Sequence, residues 1–164
     1  MSEFEIRSVT DNDIEELFVM IRELAVFEKL EDQLVTTPQR LRTVLLEQDG
    51  GPEGLIAESD GKLVGYALFF ENFSSFLCRR GIYLEDVYVR PEARGHGVGK
   101  AFLRRLAEIA VERECGRMEW VVLDWNTNAI EFYQSLGAKI LDDWRIVRMD
   151  RQGIETLASA SNTV

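Results

Sequence analysis

Two adjacent carboxylates, Glu85 and Asp86, are the residues best placed for chemistry, because they interrupt a strand-like run from Tyr83 to Val89. Arg90-Pro91 ends that run, since proline has no N–H to donate to a strand ladder. Adjacent side chains on a strand point to opposite faces, so in a largely buried strand at least one carboxylate must meet a partner, a ligand or water. A carboxylate in that position can attract a cation and accept a proton.

A glycine-rich segment, Arg94 to Lys100, follows the strand and leads directly into a helical apolar pattern. Glycines at a helix N-terminus allow successive backbone N–H groups to turn toward one anion, and the unpaired amides and the helix dipole favour phosphate there. The segment therefore predicts a phosphate-binding loop, although a glycine-rich turn that only links strand to helix would have the same composition.

The spacing of this segment restricts which phosphate ligand fits. The P-loop pattern would need glycine at Arg94 and a hydroxyl at Ala101, and the dinucleotide pattern would need glycine at Lys100. Both patterns are disfavoured. What remains is R-x-x-G-x-G on Arg94, Gly97 and Gly99.

A second group of acids lies near the start of the chain, in Phe27-Glu28-Lys29-Leu30-Glu31-Asp32, just beyond the apolar face of a predicted helix. One interpretation is a solvated run of charges. The other is a cation-binding surface beside an aromatic ring.

Composition predicts one soluble domain, which we place at residues 1–155 with a disordered tail at 156–164. The chain has 164 residues, of which 46% are hydrophobic, and a formal net charge of −10. The negative charge disfavours nucleic acid and suits a cationic small substrate. Without a signal peptide or a long apolar run, we expect a cytoplasmic protein with no membrane partner. Cys78 and Cys115 lack zinc-site spacing, so no metal is expected.

Apolar periodicity predicts the elements that hold these segments. Thr10 and Asp13 form a capping-box pattern at the start of a first helix, Thr37-Pro38 starts a second, and the glycine-rich segment opens a third. Asn126 or Thr127 caps a fourth helix, and Asp60-Gly61 marks a hairpin. Strands are expected around Phe4 to Val9, Leu55 to Ala57, Leu63 to Phe70, Tyr83 to Val89, Met118 to Leu123, Ile140-Leu141 and Trp144 to Met149. This order predicts an α/β fold with a mixed central sheet of about seven strands and helices on both faces.

Several separated motifs, in the same order, resemble those of the GCN5-related N-acetyltransferase (GNAT) family. The R-x-x-G-x-G segment resembles its acetyl-CoA motif, and the others are similar to its diamine acetyltransferase group, most of all the thialysine branch. These others are Phe27-Glu28-Lys29-Leu30, Tyr83-Leu84-Glu85-Asp86, Leu123-Asp124-Trp125-Asn126 and Phe132-Tyr133. The resemblance implies the GNAT fold with a mostly antiparallel sheet, acetyl-CoA as co-substrate, a small amine as acceptor and a homodimer.

The resemblance also implies which residues form the site. The backbone of Val87, Tyr88 and Val89 would bind the pantetheine arm. The rest of coenzyme A would contact the loop and the start of the fourth helix, at Arg94, Gly95, His96, Gly97, Val98, Gly99, Lys100, Asn126, Thr127, Asn128 and Ala129. The residues that would bind the acceptor are Phe27, Glu28, Glu85, Asp86, Glu119, Trp120 and Val121.

Tyr133 matches the tyrosine that protonates the departing thiolate, although a tyrosine on an amphipathic helix would otherwise indicate core packing. An alkylamine with a pKa near 10 is protonated at neutral pH, so reaching the free base costs about 4 kcal/mol. Glu85 is the candidate base that removes this proton, with Asp86 in support. His96, the only histidine, lies in the phosphate loop and is better interpreted as a phosphate-side donor or a solvent-exposed group.

Two other functions stay open at this point: a non-catalytic acyl-CoA-binding module, and acetylation of protein N-termini or lysines. The acceptor pocket departs from the family pattern, because Phe76 stands where tryptophan is usual and the Asp142-Asp143 turn is short. A lysine-like acceptor would also need a cation to meet its carboxylate, for which Arg79, Arg80 and Arg145 are candidates.

Overall fold

A computed structural model describes residues 3–160. The strands are β1 (Glu5–Ser8), β2 (Glu53–Ser59), β3 (Lys62–Ser74), β4 (Arg79–Val89) and β5 (Met118–Glu119). The α-helices are α1 (Ile14–Glu28), α2 (Pro38–Arg42), α3 (Val98–Glu112), α4 (Thr127–Ser135) and α5 (Arg151–Ser159), and α2 continues into a π-helical turn at Thr43–Glu47.

The chain forms two compact units, Met1–Val121 and Val122–Val164. All five strands belong to the first unit, whereas α4 and α5 make up the regular structure of the second. A single domain over residues 1–155 stays a prediction. The predicted tail, 156–164, begins inside α5, and residues 161–164 lie outside the described part of the chain.

The sheet has the strand order β1-β2-β3-β4-β5. Its first three pairings are antiparallel and the β4–β5 pairing is parallel, which confirms an α/β fold with a mixed, mostly antiparallel sheet. The predicted number of about seven strands is wrong for residues 3–160, because residues 140–141 and 144–149 form no strand. A strand needs a neighbour to receive its hydrogen bonds, and the described part of the second unit contains no other strand.

Local sequence signals account for several boundaries. Asp60 and Gly61 both have positive φ, 52° and 71°, as a tight two-residue hairpin requires. Thr37 accepts a hydrogen bond from the backbone of Arg40 and caps α2. The capping box of Thr10 and Asp13 forms as predicted, around a short 3-10 turn that leads into α1.

Helices cover both faces of the sheet. Ile14, Leu17 and Met20 of α1 are buried in one cluster with Tyr66 of β3 and Tyr88 of β4. The neighbouring Gly65 must face the other way on a pleated strand. A Cβ placed there would lie 3.2 Å from the ring of Phe102 in α3, so α3 packs on the opposite face.

Arg90, directly after β4, fixes α1 against the end of that strand. Its guanidinium donates to the carboxylates of Glu16 at 2.6 Å and Glu23 at 2.9 Å, and to the carbonyl of Leu63 at 2.9 Å. These charge-assisted bonds fix the position of α1 and therefore of its last residue, Glu28. Within residues 3–160, none of the helices has the length and apolar character that a membrane span would need.

Candidate active site

The glycine-rich segment forms an open loop at the N-terminus of α3. Gly95 and Gly97 adopt φ of 76° and 86°, a region that residues with a Cβ rarely enter. A Cβ built on either glycine would meet no atom within 4 Å, so the space beside the backbone is free. This open space lies at the N-terminus of a 15-residue helix. The first-turn amides of a helix have no partner within the helix, so the position suits a phosphate group. His96 and Lys100 of the same loop are exposed.

Arg94 links this loop to the C-terminal end of α1. Its Nε donates to the backbone carbonyl of Val89 at 2.9 Å. Its guanidinium carbon lies 5.3 Å from the centre of the Phe27 ring and 5.9 Å from that of Tyr88, so both rings make cation–π contacts with it. A residue predicted to bind coenzyme A therefore touches Phe27, which is predicted to bind the acceptor.

Strand β4 offers a free edge beside the loop. It pairs with β3 from Arg79 to Val89, but with β5 only at Ile82 and Tyr83. Within the described first unit, Leu84 to Val89 therefore has no strand on its outer edge. An extended ligand can hydrogen-bond such an edge as an added strand would, which suits the predicted pantetheine site at Val87, Tyr88 and Val89.

A β-bulge interrupts β4 where the two carboxylates stand. Leu68 pairs with Asp86 and Phe69 pairs with Leu84, so Glu85 is the extra residue. Bulges bend the strand and redirect side chains. Glu85 is exposed and Asp86 is partly buried.

Glu28, Glu85 and Asp86 form what we call the acidic cluster. Burial, reinforced by the charges of Glu85 and Glu28, raises the pKa of the Asp86 carboxyl to about 6. Burial likewise raises the pKa of Glu28. The structure thus brings together acids from α1 and β4, as predicted. A cation among them would relieve their mutual repulsion.

Glu119, Trp120 and Val121 lie at and just beyond the short strand β5. The Glu119 carboxylate accepts a hydrogen bond from the side-chain amide of Asn72 at 2.9 Å and forms an ion pair with Arg117 at 2.9 Å. The Glu119 carboxylate is therefore paired with two side chains. Trp120 is partly buried, and Val121 is 49% exposed.

The remaining predicted residues lie together in the second unit. Asn126 caps α4, with its side-chain oxygen accepting from the backbone N–H of Ala129 at 3.3 Å. Thr127 and Asn128 are exposed in the first turn. Tyr133 is buried on the same helix, and the centre of its ring lies 5.4 Å from the centre of the Phe132 ring.

An open cleft of about 430 Å³ lies at the other end of the sheet and contains none of the predicted site residues except Arg80, a candidate for the acceptor carboxylate. Arg80 and Arg113 line it, and both are bonded to Glu71. Arg80 is thus already paired with a carboxylate, and Arg79 begins β4 about 20 Å along the strand from Glu85.

The described residues contain no group of three or more acids, histidines or cysteines that could hold a metal.

Sequence reasoning missed one residue of this region, Tyr66 of β3. Its side chain is 0% exposed, and its hydroxyl lacks a hydrogen-bond partner in good geometry. Asp86 and Glu28 are its charged neighbours, and burial followed by their charges raises its pKa well above the usual range. A tyrosine inside an apolar strand looks like ordinary core, so only the pairing of β3 with β4 identifies it.

Comparisons with known proteins show which family the chain resembles. The chain is 34% identical over 170 residues to thialysine N-epsilon-acetyltransferase of Sus scrofa, covering 93% of this chain and 96% of the relative. It is 40% identical over 99 residues to L-ornithine N5-acetyltransferase NATA1 of Arabidopsis thaliana, covering 60% of this chain and 43% of the relative.

Among solved structures, an integron cassette protein from the mobile metagenome of V. cholerae superposes with a TM-score of 0.77. It is 25% identical, and the match covers 98% of this chain and 99% of that one. The profile of the Acetyltransferase (GNAT) family matches residues 18–138. The chain therefore belongs to the GNAT acetyltransferase family.

Proposed function

We propose that this acetyltransferase moves acetyl from acetyl-CoA to the side-chain amine of a small cationic acceptor, preferably a lysine-like amino acid, by direct transfer in a ternary complex. The observation that carries the proposal is the continuity of β4. Its bulge presents Glu85 and Asp86, and the next three residues offer the free edge that leads to the phosphate loop. An amine held by the acidic cluster would therefore sit beside a thioester laid along that edge.

The acidic cluster has two tasks in this reaction. It attracts the ammonium form of the acceptor, and one carboxylate, for which we propose Glu85, takes a proton from nitrogen. The nitrogen lone pair then attacks the thioester carbon, and the C–S bond breaks. We propose that Tyr133 gives its proton to the departing thiolate. The nitrogen then loses a second proton, which reprotonates Tyr133. Coenzyme A leaves as the thiol, and one proton is released overall.

The preference for a lysine-like acceptor rests on the relatives. Thialysine and ornithine, the acceptors named for two relatives, are both α-amino acids with a primary amine on the side chain. Phe27 stacked on Arg94, beside Glu28, offers an aromatic wall and a negative charge to such a side chain.

A panel of amines assayed with acetyl-CoA by thiol release tests the proposal. We expect higher kcat/KM on thialysine or another lysine-like amino acid than on spermidine. Spermidine outperforming every amino acid would overturn the acceptor class. No turnover on any amine, in a protein that still binds acetyl-CoA, would overturn the reaction.

We also propose a cytoplasmic homodimer that requires neither nucleic acid, membrane nor metal. The dimer rests on resemblance, and the lack of a nucleic-acid partner on the net charge of −10. Light scattering during size-exclusion chromatography would show twice the mass of the chain. A monomer at assay concentration would contradict the dimer, and activity lost on dialysis against a chelator would contradict the absence of metal.

A further inference from the structure

Tyr66 carries a buried hydroxyl beside the acidic cluster. The side chain is 0% exposed, and its hydroxyl has no hydrogen-bond partner in good geometry. Burying an unpaired hydroxyl costs free energy, and phenylalanine would fill the same space without that cost. An unsatisfied hydroxyl of this kind calls for a hydrogen-bond acceptor, and an ionised carboxylate nearby can serve as one.

The register of the sheet identifies that partner. Tyr66 pairs with Tyr88, and Leu68 pairs with Asp86, so the side chains of Tyr66 and Asp86 lie on the same face as diagonal neighbours on adjacent strands. Diagonal neighbours are within reach of a long aromatic side chain. The groups that face Asp86 are Tyr66 from β3, Glu28 from α1 and Glu85 from its own strand.

We propose that Tyr66 is a positioning residue for the acceptor, with its hydroxyl donating to the Asp86 carboxylate and holding it ionised and oriented as the counter-ion of the acceptor ammonium. This inference rests on the proposed function, because it assigns a task to the same acidic cluster.

The electrostatics of the cluster explain why such a donor is needed. Burial and two nearby carboxylates make ionised Asp86 unfavourable, whereas Tyr66 acts in the opposite direction. A donor that stabilises only the charged form lowers the pKa of a carboxyl. Tyr66 therefore keeps the site negative near neutral pH without adding a positive charge that would repel the amine.

Tyr66→Phe tests the proposal, since it removes one oxygen and keeps the ring that packs in the core. In the ligand-free protein with ¹³C-labelled aspartate, we expect the pKa of Asp86 to rise by about one unit. If only ionised Asp86 binds the amine, KM for the amine should rise about tenfold at pH 5 and less than about 1.2-fold at pH 8. Both kcat and the affinity for acetyl-CoA should stay near wild type.

Tyr83→Phe is the matched control, because it removes a hydroxyl from the adjacent strand at a residue with no assigned role in the site. It should leave the pKa of Asp86 and the pH dependence of KM unchanged. In an Asp86→Asn background, Tyr66→Phe should have no further effect on KM, and this double-mutant cycle still decides the matter if Tyr66→Phe is less stable.

Different results would contradict the role of Tyr66 and the proposed function. An unchanged pKa of Asp86 in Tyr66→Phe, or an equal effect on KM with Asp86 and with Asn at position 86, would overturn the role of Tyr66. A wild-type protein that turns over no amine would overturn the proposed function instead, and the NMR titration of the ligand-free protein would still decide between the two outcomes for Tyr66.

Discussion

Replacing Gly97 by aspartate should abolish measurable acetyl-CoA binding at ordinary concentrations, because it places a carboxylate where we propose that the pyrophosphate approaches the loop. A Cβ at this position would meet no atom within 4 Å, so the substitution causes no clash. Its φ of 86° adds backbone strain of about 1–2 kcal/mol for any other residue. Two like charges about 6 Å apart repel by about 3 kcal/mol at an effective dielectric constant of 20, which raises Kd about 100-fold.

Gly97→Ala separates the two effects, since it introduces the strain without the charge. Calorimetric titration with acetyl-CoA should show Kd within about threefold of wild type for Gly97→Ala and a Kd about 100-fold higher for Gly97→Asp, and rising salt should reduce the difference. Equal affinities of the two variants, both folded by circular dichroism, would refute the assignment of this loop to the pyrophosphate.

Three further outcomes follow from the site. Tyr133→Phe should lower kcat by about 10² to 10⁴ while acetyl-CoA affinity stays near wild type, and a fall of less than threefold would show that this tyrosine only packs. Glu85→Gln should move the pH–rate profile toward alkaline pH, because the amine must then lose its proton to solvent, and an identical profile would exclude Glu85 as the base. Asp86 has a folded-state pKa raised to about 6. Its contribution to the stability of the folded state is therefore complete below the unfolded-state pKa and is lost as pH rises through 6. Asp86→Asn should therefore increase the free energy of unfolding by about 2–3 kcal/mol at pH 7 and by little at pH 4, and urea denaturation showing no gain at pH 7 would contradict the burial of a charged carboxylate.

Local chemistry made part of the fold predictable from sequence. Asp60-Gly61, Thr37-Pro38 and the glycine-rich loop each depend on backbone preferences of neighbouring residues, and the structure has each feature where it was predicted. Asn126, one of two candidates, caps α4 for the same reason. These signals act over a few residues, so no tertiary information is needed to read them.

Pairing between distant segments was not predictable in the same way. The bulge at Glu85 exists only in relation to Leu68 and Phe69 of the neighbouring strand. The apolar residues at 144–149 have strand-type side chains but form no strand among the described residues, because β-propensity does not provide a partner.

The candidate site shows the same division. Glu85 and Asp86 could be proposed from residue type, since adjacent acids in an apolar strand demand an explanation, whereas Glu28 was proposed from the resemblance to the family. Tyr66 could not, because its significance depends on the register that sets it diagonally opposite Asp86. The contact between Arg94 and Phe27 likewise joins residues 67 positions apart.

Following the acetyl group itself tests the central claim most directly. The enzyme is incubated with acetyl-CoA carrying ¹³C in the carbonyl and with an equimolar lysine-like amino acid, and the carbonyl signal is followed by NMR. The proposed reaction predicts that the thioester signal is replaced by a single amide signal on the side-chain nitrogen, in an amount equal to the free coenzyme A. Coenzyme A released with acetate and no amide, or acetyl found on the α-amino group, would contradict it.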